Sequence, residues 1–134
     1  MRLLGFAVVC VVLFTELGAL PARGEDAVAR GRYLVEGVAL CGECHTPRIA
    51  DGSLDRSRWL QGGPVVVERP GFVRDWAVVA PPIAGLRTYG ESEAVRLLTE
   101  GVGRDGKALR PPMPRYRFSV PDAEAIAAYL RSLR

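Results

Sequence analysis

The chain has 134 residues, of which 49% are hydrophobic and 25% are charged. This composition is ordinary for one globular domain, and it excludes a disordered, collagen-like or low-complexity chain. The formal net charge of +3 is too small for an extended nucleic-acid-binding surface. Because the chain contains a single His, any chemistry that needs two imidazoles is also excluded.

The N-terminal segment has the pattern of a secretory signal peptide. A positively charged start precedes an uncharged apolar run from Leu3 to Phe14, and small residues then lead to Gly24. We expect residues 1–24 to be a signal peptide and residues 25–134 to form one exported, periplasmic domain. The alternative is an uncleaved segment that anchors the chain to the inner membrane, although Glu16 interrupts the apolar region.

The rest of the chain predicts three helices separated by one long loop. The first runs from a cap at Asp26 to about Leu40, the second covers roughly Glu91 to Glu100, and the third runs from about Val120 to Leu133. Residues at helical spacing form their predicted buried faces: Ala27, Gly31, Leu34, Val38 and Cys41 in the first helix, Ala94, Val95, Leu97 and Leu98 in the second, and Ala123, Ile126, Ala127, Leu130 and Leu133 in the third.

Local signals mark the ends of the second and third helices. Gly90 is a tolerable cap before the second helix, and Gly101 follows as its stop. Ser119 and Asp122 resemble a capping box at the start of the third helix. Pro121 fits the first turn of that helix, where its missing N–H is no loss.

The loop between His45 and Gly90 is rich in Gly and Pro. Only a short helix is predicted within it, near Asp55 to Leu60. A loop of this length in so small a domain indicates a segment that wraps a bound group.

One pentapeptide, Cys41-Gly42-Glu43-Cys44-His45, concentrates the chemistry of the chain. It has the form C-x-x-C-H, which is the attachment signature of c-type haem. Two thiols three positions apart on one helical turn can add to the two vinyl groups of a porphyrin. The next residue then projects an imidazole towards the iron. We therefore expect covalent haem c at this pentapeptide.

Three other interpretations of the pentapeptide compete with haem. Cys41 and Cys44 could form a structural disulfide in an exported protein. A zinc site needs four ligands, and residues 25–134 contain no further Cys or His. A thioredoxin-like pair requires a preceding strand and a βαβ unit, and the sequence predicts neither. The signal peptide, together with the position of the sole His inside the pentapeptide, favours haem.

Residues 25–134 contain one Met, Met113, which lies in Arg110-Pro111-Pro112-Met113-Pro114. A lone Met is usually core filler. A segment with three prolines has stiff φ angles, however, and can hold a thioether against a metal. We expect Met113 to be the second axial ligand, and Met/His ligation raises the reduction potential relative to bis-His ligation. Lys107 is the other neutralisable nitrogen of this region and ranks far behind.

In combination these elements resemble a class I cytochrome c. The resemblance covers the whole exported chain: a helix ending in C-x-x-C-H, a long loop, a helix, a Pro-flanked Met and a C-terminal helix with Tyr129-Leu130-Arg131-Ser132-Leu133. Four segments are similar to cytochrome c domains of periplasmic alcohol and gluconate dehydrogenases: Gly31-Arg32-Tyr33-Leu34, Cys44-His45-Thr46-Pro47-Arg48, Gly101 to Met113, and Ala128-Tyr129-Leu130. Such subunits often contain three haem domains, whereas this chain has one C-x-x-C-H.

The resemblance implies an all-α, class I cytochrome c fold. About three to four helices would wrap around one covalently bound haem, with a long Gly/Pro-rich loop. Cys41 and Cys44 would hold the haem covalently. His45 and Met113 would be the axial ligands of its iron, and no residue would be catalytic.

The resemblance also implies contacts around the haem. The N- and C-terminal helices would cross closely, with Gly31 as the contact that admits Tyr129. The backbone carbonyl of a loop proline would orient His45 and fix its tautomer, and Pro64 and Pro82 are the candidates. Three aromatic residues would pack on the haem or beneath the loop, or else are ordinary core aromatics: Trp59, Trp76 and Tyr89.

The implied function is that of a periplasmic monohaem electron carrier, which is not itself an enzyme. Its donor would be a dehydrogenase and its acceptor would belong to the respiratory chain. The alternatives are a haem enzyme or gas sensor with an open or labile distal site, and a membrane-tethered cytochrome subunit of a dehydrogenase complex. Five basic residues around Met113 predict a basic rim for an acidic partner: Arg104, Lys107, Arg110, Arg115 and Arg117.

Overall fold

The computed structural model describes residues 23–133 of the chain. Nearly all of the predicted signal peptide therefore lies outside the described residues. The described residues contain four α-helices: α1 (Arg23–Tyr33), α2 (Gly42–His45), α3 (Glu91–Glu100) and α4 (Val120–Ser132). None of the helices between residues 23 and 133 is both long and apolar enough to cross a membrane.

Shorter elements fill the connections between these helices. A π-helical segment, Leu34–Val38, continues α1, and 3₁₀ turns cover Arg56–Arg58 and Ala84–Leu86. Strand β1 (Gly63–Pro64) pairs antiparallel with strand β2 (Val79–Ala80). The turn at Arg56–Arg58 lies within the predicted short helix. The mostly helical architecture is compatible with a cytochrome c fold.

The ends of α3 and α4 form where the sequence predicts them. The Glu93 carboxylate accepts a hydrogen bond from the Gly90 N–H at 2.9 Å, before the first turn of α3. Gly101 ends α3 in the left-handed conformation, at φ 72°. Ser119 Oγ accepts from the Asp122 N–H at 3.3 Å and so caps α4.

The first helix differs from its prediction at both ends. The described helix already includes Arg23, so Asp26 lies inside α1 and does not cap it. At the other end, the Ala39 N–H donates to Leu34 O at 2.7 Å, five positions back. This π-type spacing rotates the following side chains relative to an α-helix. Val38, predicted to be buried, is therefore 49% exposed, and Val35 is fully buried instead.

Helices α1 and α4 cross with their backbones in contact at Gly31. A Cβ at this position would lie 1.9 Å from Ala125 O and 2.8 Å from Tyr129 Cβ, so only glycine fits. The expected approach of Tyr129 to Gly31 is confirmed. This contact explains why the helix keeps a glycine that costs about 1 kcal/mol relative to alanine.

The core lies around α4, which packs against α1, α3 and the 3₁₀ turn at Ala84–Leu86. The predicted face of α4 is buried at Ala123, Ile126, Ala127 and Leu130, whereas Leu133 is only partly buried. Because neighbours cover α4 on more than one side, Ala125 and Tyr129 are buried as well. Residues from the other elements complete this core: Leu34, Val35, Leu60, Leu86, Ala94 and Leu98.

Candidate functional site

The C-x-x-C-H pentapeptide forms α2 and the residue that precedes it. The His45 N–H donates to Cys41 O at 3.0 Å, and the Thr46 N–H donates to Gly42 O at 3.1 Å. This helical turn places Cys41 and Cys44 on neighbouring positions of one face. Both thiols are free and half-buried, so the structure does not contain a disulfide between them.

The protonation state of Cys41 follows from its surroundings. Burial raises the pKa of this thiol to about 11; the Cys44 thiol adds to the rise and a backbone hydrogen bond opposes it. Cys41 is therefore protonated at neutral pH. Redox-active C-x-x-C pairs instead depend on a thiol with a lowered pKa. The surroundings of Cys41 thus disfavour the thioredoxin-like interpretation.

His45 is buried, with 7% of its surface exposed, and its Nδ1 lies 2.7 Å from Pro81 O. A carbonyl oxygen can only accept, so Nδ1 carries the proton and donates it. Burial lowers the pKa of His45, while the hydrogen bond to Pro81 opposes this effect. The imidazole is therefore neutral at pH 7, with its lone pair on Nε2. This is the tautomer that a metal-binding histidine requires.

The free nitrogen of His45 remains accessible. Among the described residues, Nε2 has no hydrogen-bond partner. Every fully buried side-chain nitrogen or oxygen among those residues has a hydrogen-bond partner. Since Nε2 has none, part of this atom must lie at the accessible surface. An accessible, neutral imidazole nitrogen directly after two free thiols fits the donor set of a covalently held haem.

The residue that orients His45 is Pro81, so the prediction of Pro64 or Pro82 is wrong. Pro64 lies in β1, opposite Val79 in β2. Pro82 directly follows the residue whose carbonyl accepts from His45. The sequence contains no signal for the register that brings Pro81 to the imidazole.

The segment after the 3₁₀ turn at Arg56–Arg58 holds α2 from another side. The Leu60 N–H donates to Thr46 Oγ1 at 3.0 Å, and Thr46 is 2% exposed. The Gly62 N–H donates to His45 O at 2.7 Å. Sequence reasoning missed Thr46, because its role depends on a contact with a residue 14 positions away.

Met113 is half-buried at the end of a turn that contains Pro111 and Pro112, and the peptide bond between these prolines is cis. The Met113 N–H donates to Arg110 O at 3.1 Å, which closes this turn. The described contacts do not test iron binding, so the role of Met113 as an axial ligand stays a prediction.

The turn that carries Met113 is fixed to the segment before β2. The Ala77 N–H donates to Pro111 O at 2.7 Å. Arg110 donates through Nε to Asp75 Oδ1 at 2.6 Å and through Nη2 to Trp76 O at 3.0 Å. Since this segment continues through β2 into Pro81, one stretch of chain contacts both the Met113 turn and the His45 ring.

Tyr116 connects the chain after Met113 to the residues before Cys41. Its hydroxyl donates to Ala39 O at 2.8 Å, and its ring stacks on Phe118 with the centroids 5.0 Å apart. Burial, followed by the nearby thiols of Cys41 and Cys44, raises the pKa of Tyr116 to about 12. The segment after Met113 therefore lies beside the predicted attachment residues. No pattern in the sequence singles out Tyr116.

The chain itself neutralises most of the predicted basic rim. Three of its cations form ion pairs: Arg104 with Glu93 at 3.1 Å, Lys107 with Asp105 at 3.6 Å, and Arg110 with Asp75 at 2.6 Å. Arg117 donates to the backbone oxygen of Glu100. Arg115 has no ion pair among the described residues. The free positive charge around Met113 is thus smaller than the sequence suggests.

The aromatic residues of the loop have separate environments. Trp59 packs against the core and donates from Nε1 to the Tyr129 hydroxyl at 3.2 Å. Tyr89 also packs against the core, with the Arg104 guanidinium 5.6 Å from its ring centroid. Trp76 is half-buried. For Trp59 and Tyr89 the structure therefore supports the role of core aromatics.

Proteins of known identity share sequence with this chain. The chain is 35% identical over 128 residues to the cytochrome c subunit of alcohol dehydrogenase (quinone) from Gluconacetobacter polyoxogenes; the match covers 84% of this chain and 26% of that protein. It is 33% identical over 109 residues to the fructose dehydrogenase cytochrome subunit of Gluconobacter japonicus, with 78% and 21% covered. These relatives support a cytochrome c family. No family model matches the chain.

A shorter match is closer in sequence. Over 35 residues the chain is 71% identical to a diheme cytochrome c-type protein of Cereibacter sphaeroides. This match covers 26% of this chain and 12% of that protein. The chain thus spans about a quarter or less of the length of these relatives. The expected resemblance to a cytochrome subunit of alcohol dehydrogenase is confirmed, and the relatives support an electron-carrying role.

Proposed function

We propose that the chain is a monohaem, class I cytochrome c that carries single electrons from a dehydrogenase. Cys41 and Cys44 hold the haem covalently, and one haem is bound because the chain contains one C-x-x-C-H. The observation that carries the proposal is the state of His45. Its Nδ1 donates to Pro81 O at 2.7 Å, which leaves an accessible Nε2 directly after two free thiols.

Each remaining residue of the site has a defined task. When bound, the haem supplies one-electron oxidation and reduction of its iron. His45 and Met113 would bind the haem iron, and Pro81 fixes the orientation and tautomer of the imidazole. The turn of Met113, held by Pro111 and Arg110, limits the movement of the thioether.

The partners and location follow from the relatives and from the N-terminal sequence. The relatives include cytochrome subunits named for alcohol and fructose dehydrogenases. A periplasmic or membrane dehydrogenase is therefore the proposed donor, and a respiratory-chain component is the proposed acceptor. Residues 1–24 direct export to the periplasm, and retention of this segment would instead tether the protein to the inner membrane.

The test is haem attachment in a bacterial host that exports the full chain and contains haem-attachment machinery. We expect haem-peroxidase staining of the band on a denaturing gel and a mass increase equal to one haem. Replacement of both cysteines, in Cys41→Ala/Cys44→Ala, should abolish the stain. Cys10→Ala is the matched control and should leave it unchanged, because Cys10 lies in the predicted signal peptide. A colourless wild-type protein would refute the proposal.

A further inference from the structure

Trp59 contacts both the C-x-x-C-H helix and the crossing of α1 and α4. Its ring lies against Gly42 so closely that a Cβ there would be 2.1 Å from Cη2 and 2.4 Å from Cζ3. The other end of the indole donates from Nε1 to the Tyr129 hydroxyl at 3.2 Å. A single side chain therefore joins the two parts of the fold.

Tyr129 extends this connection to the π-helical segment that continues α1. It is 6% exposed, and its hydroxyl donates to Glu36 Oε1 at 2.6 Å. Arg32 Nε donates to the same carboxylate oxygen at 3.2 Å. The hydroxyl thus accepts from Trp59 and donates to Glu36, so the position of the indole is coupled to both crossing helices.

The backbone around Trp59 is equally constrained. Leu60 follows it with φ 58°, a left-handed conformation that a leucine adopts at a cost. Leu60 is fully buried, and its carbonyl accepts from the N–H groups of Ile83 and Ala84 at 2.9 and 3.1 Å. The Arg56 guanidinium lies 4.3 Å from the ring centroid of Trp59. A conformation with this backbone cost persists because many contacts determine it.

We propose that Trp59 is a positioning residue that sets the placement of the haem-attachment helix α2 relative to the α1–α4 crossing. The inference rests on the proposed function and assigns a role to a side chain outside the attachment residues and axial ligands. It also explains Gly42, because the ring occupies the space that any larger residue at this position would need.

The experiment compares purified full-length variants loaded with haem in the periplasmic host. Trp59→Leu removes both the flat ring and the hydrogen bond, whereas Trp59→Phe keeps a flat ring over Gly42. Tyr129→Phe removes the hydroxyl, and with it the hydrogen bonds to Trp59 and to Glu36. Tyr33→Phe is the matched control, because Tyr33 is 59% exposed on α1. The two measured quantities are the amount of haem bound per chain and the reduction potential.

Trp59→Leu should lower haem loading severalfold and shift the potential downwards. Opening this side of α2 admits water, and more polar surroundings favour the higher charge of ferric iron. Trp59→Phe should restore most of the loading but keep part of the downward shift. Tyr129→Phe should shift the potential in the same direction. Trp59→Phe/Tyr129→Phe should add little to the effect of Tyr129→Phe alone, since Tyr129→Phe already breaks the hydrogen bond that Trp59→Phe removes. Tyr33→Phe should change neither quantity.

A second pair of variants tests the packing against Gly42. Gly42→Ala should reduce haem loading, and adding Trp59→Leu should cause little further loss, because both changes act on one contact. Equal potentials in wild type, Trp59→Phe and Tyr129→Phe would overturn the inference, even if Trp59→Leu failed to fold. Additive losses of loading in Gly42→Ala/Trp59→Leu would also overturn it. A wild-type chain without haem would instead refute the proposed function.

Discussion

Arg30 on α1 forms an ion pair with Asp122 in the first turn of α4, with Nη2 and Oδ1 3.0 Å apart. This pair lies one residue from Gly31, where the two helix backbones touch. The crossing is therefore held by backbone contact in its centre and by a partly exposed ion pair beside it. An exposed ion pair contributes at most about 1 kcal/mol, so the contact at Gly31 should dominate.

Gly31→Ala should destabilise the protein by about 1–3 kcal/mol, because an added methyl would overlap Ala125 O and force the helices apart. Urea unfolding followed by circular dichroism measures this change. Gly37→Ala is the matched control, since a Cβ there would lie 3.7 Å from the Tyr33 ring, at ordinary contact distance. Similar losses in the two variants would contradict the proposed importance of the crossing.

If Met113 is the proposed ligand, Met113→Ala should lower the reduction potential and make the ferrous protein reactive towards CO, because the iron would lose its thioether ligand. The red-region sulfur-to-iron charge-transfer band of the ferric protein should also disappear. Met113→His should lower the potential but keep the iron six-coordinate. If the band were missing from the wild type, or survived in Met113→Ala, another residue would be the ligand.

Arg110→Gln should loosen the turn that carries Met113, because the charged contact with Asp75 is lost and the hydrogen bond to Trp76 O is weakened. The pair is exposed, so the free energy of unfolding should fall by less than about 1 kcal/mol. On heating, the charge-transfer band should disappear at a lower temperature than in the wild type. Lys107→Gln breaks only a pair with Asp105, two residues away, and should keep the wild-type behaviour.

Asp55 should contribute to the acid stability of the loop. Hydrogen bonds from Ser57, followed by those from Arg58, lower the pKa of this carboxyl from 3.8 to about 2. A lowered pKa in the folded state means that the stabilisation is complete above about pH 4 and is lost as the pH falls towards 2. Asp55→Asn should therefore be less stable than the wild type at pH 7 and show a flatter pH dependence between pH 4 and 2.

Unfolding by urea at a series of pH values measures this effect. Asp26→Asn is the control, because Asp26 is an exposed carboxylate on α1 with no hydrogen bond among the described residues. If the free energy of unfolding of Asp55→Asn fell between pH 4 and 2 as steeply as that of the wild type, the capped 3₁₀ turn would not contribute to acid stability.

The features that the sequence predicted well are local ones. α3 has the predicted bounds because Gly90, Glu93 and Gly101 act within one or two turns of the helix ends. The helical turn at Cys41–His45 is also local, and it forms where the spacing of the two cysteines and the histidine requires it. The contact at Gly31 was predicted through the family resemblance and through the cost of a glycine inside a helix.

The features that the sequence did not predict depend on distant contacts. Pro81 reaches His45 across 36 positions, through the register of β1 and β2. Trp59 meets Tyr129 across 70 positions. The π-helical turn after Tyr33 follows no local signal, and Val38, which the helical spacing predicts to be buried, is 49% exposed. Charge composition also overstated the unpaired positive charge around Met113, because the acidic partners of Arg104 and Arg110 are distant in sequence.

The stretch from Asp75 to Pro81 contacts the neighbourhood of both residues that are proposed to bind the iron. Its first residues hydrogen-bond to the turn that carries Met113, and its last residue accepts a hydrogen bond from the His45 imidazole. Opening of this stretch would remove the hydrogen bonds that hold the Met113 turn and the hydrogen bond that orients the His45 imidazole in the same event. A single local opening would therefore disturb both residues proposed to bind the iron.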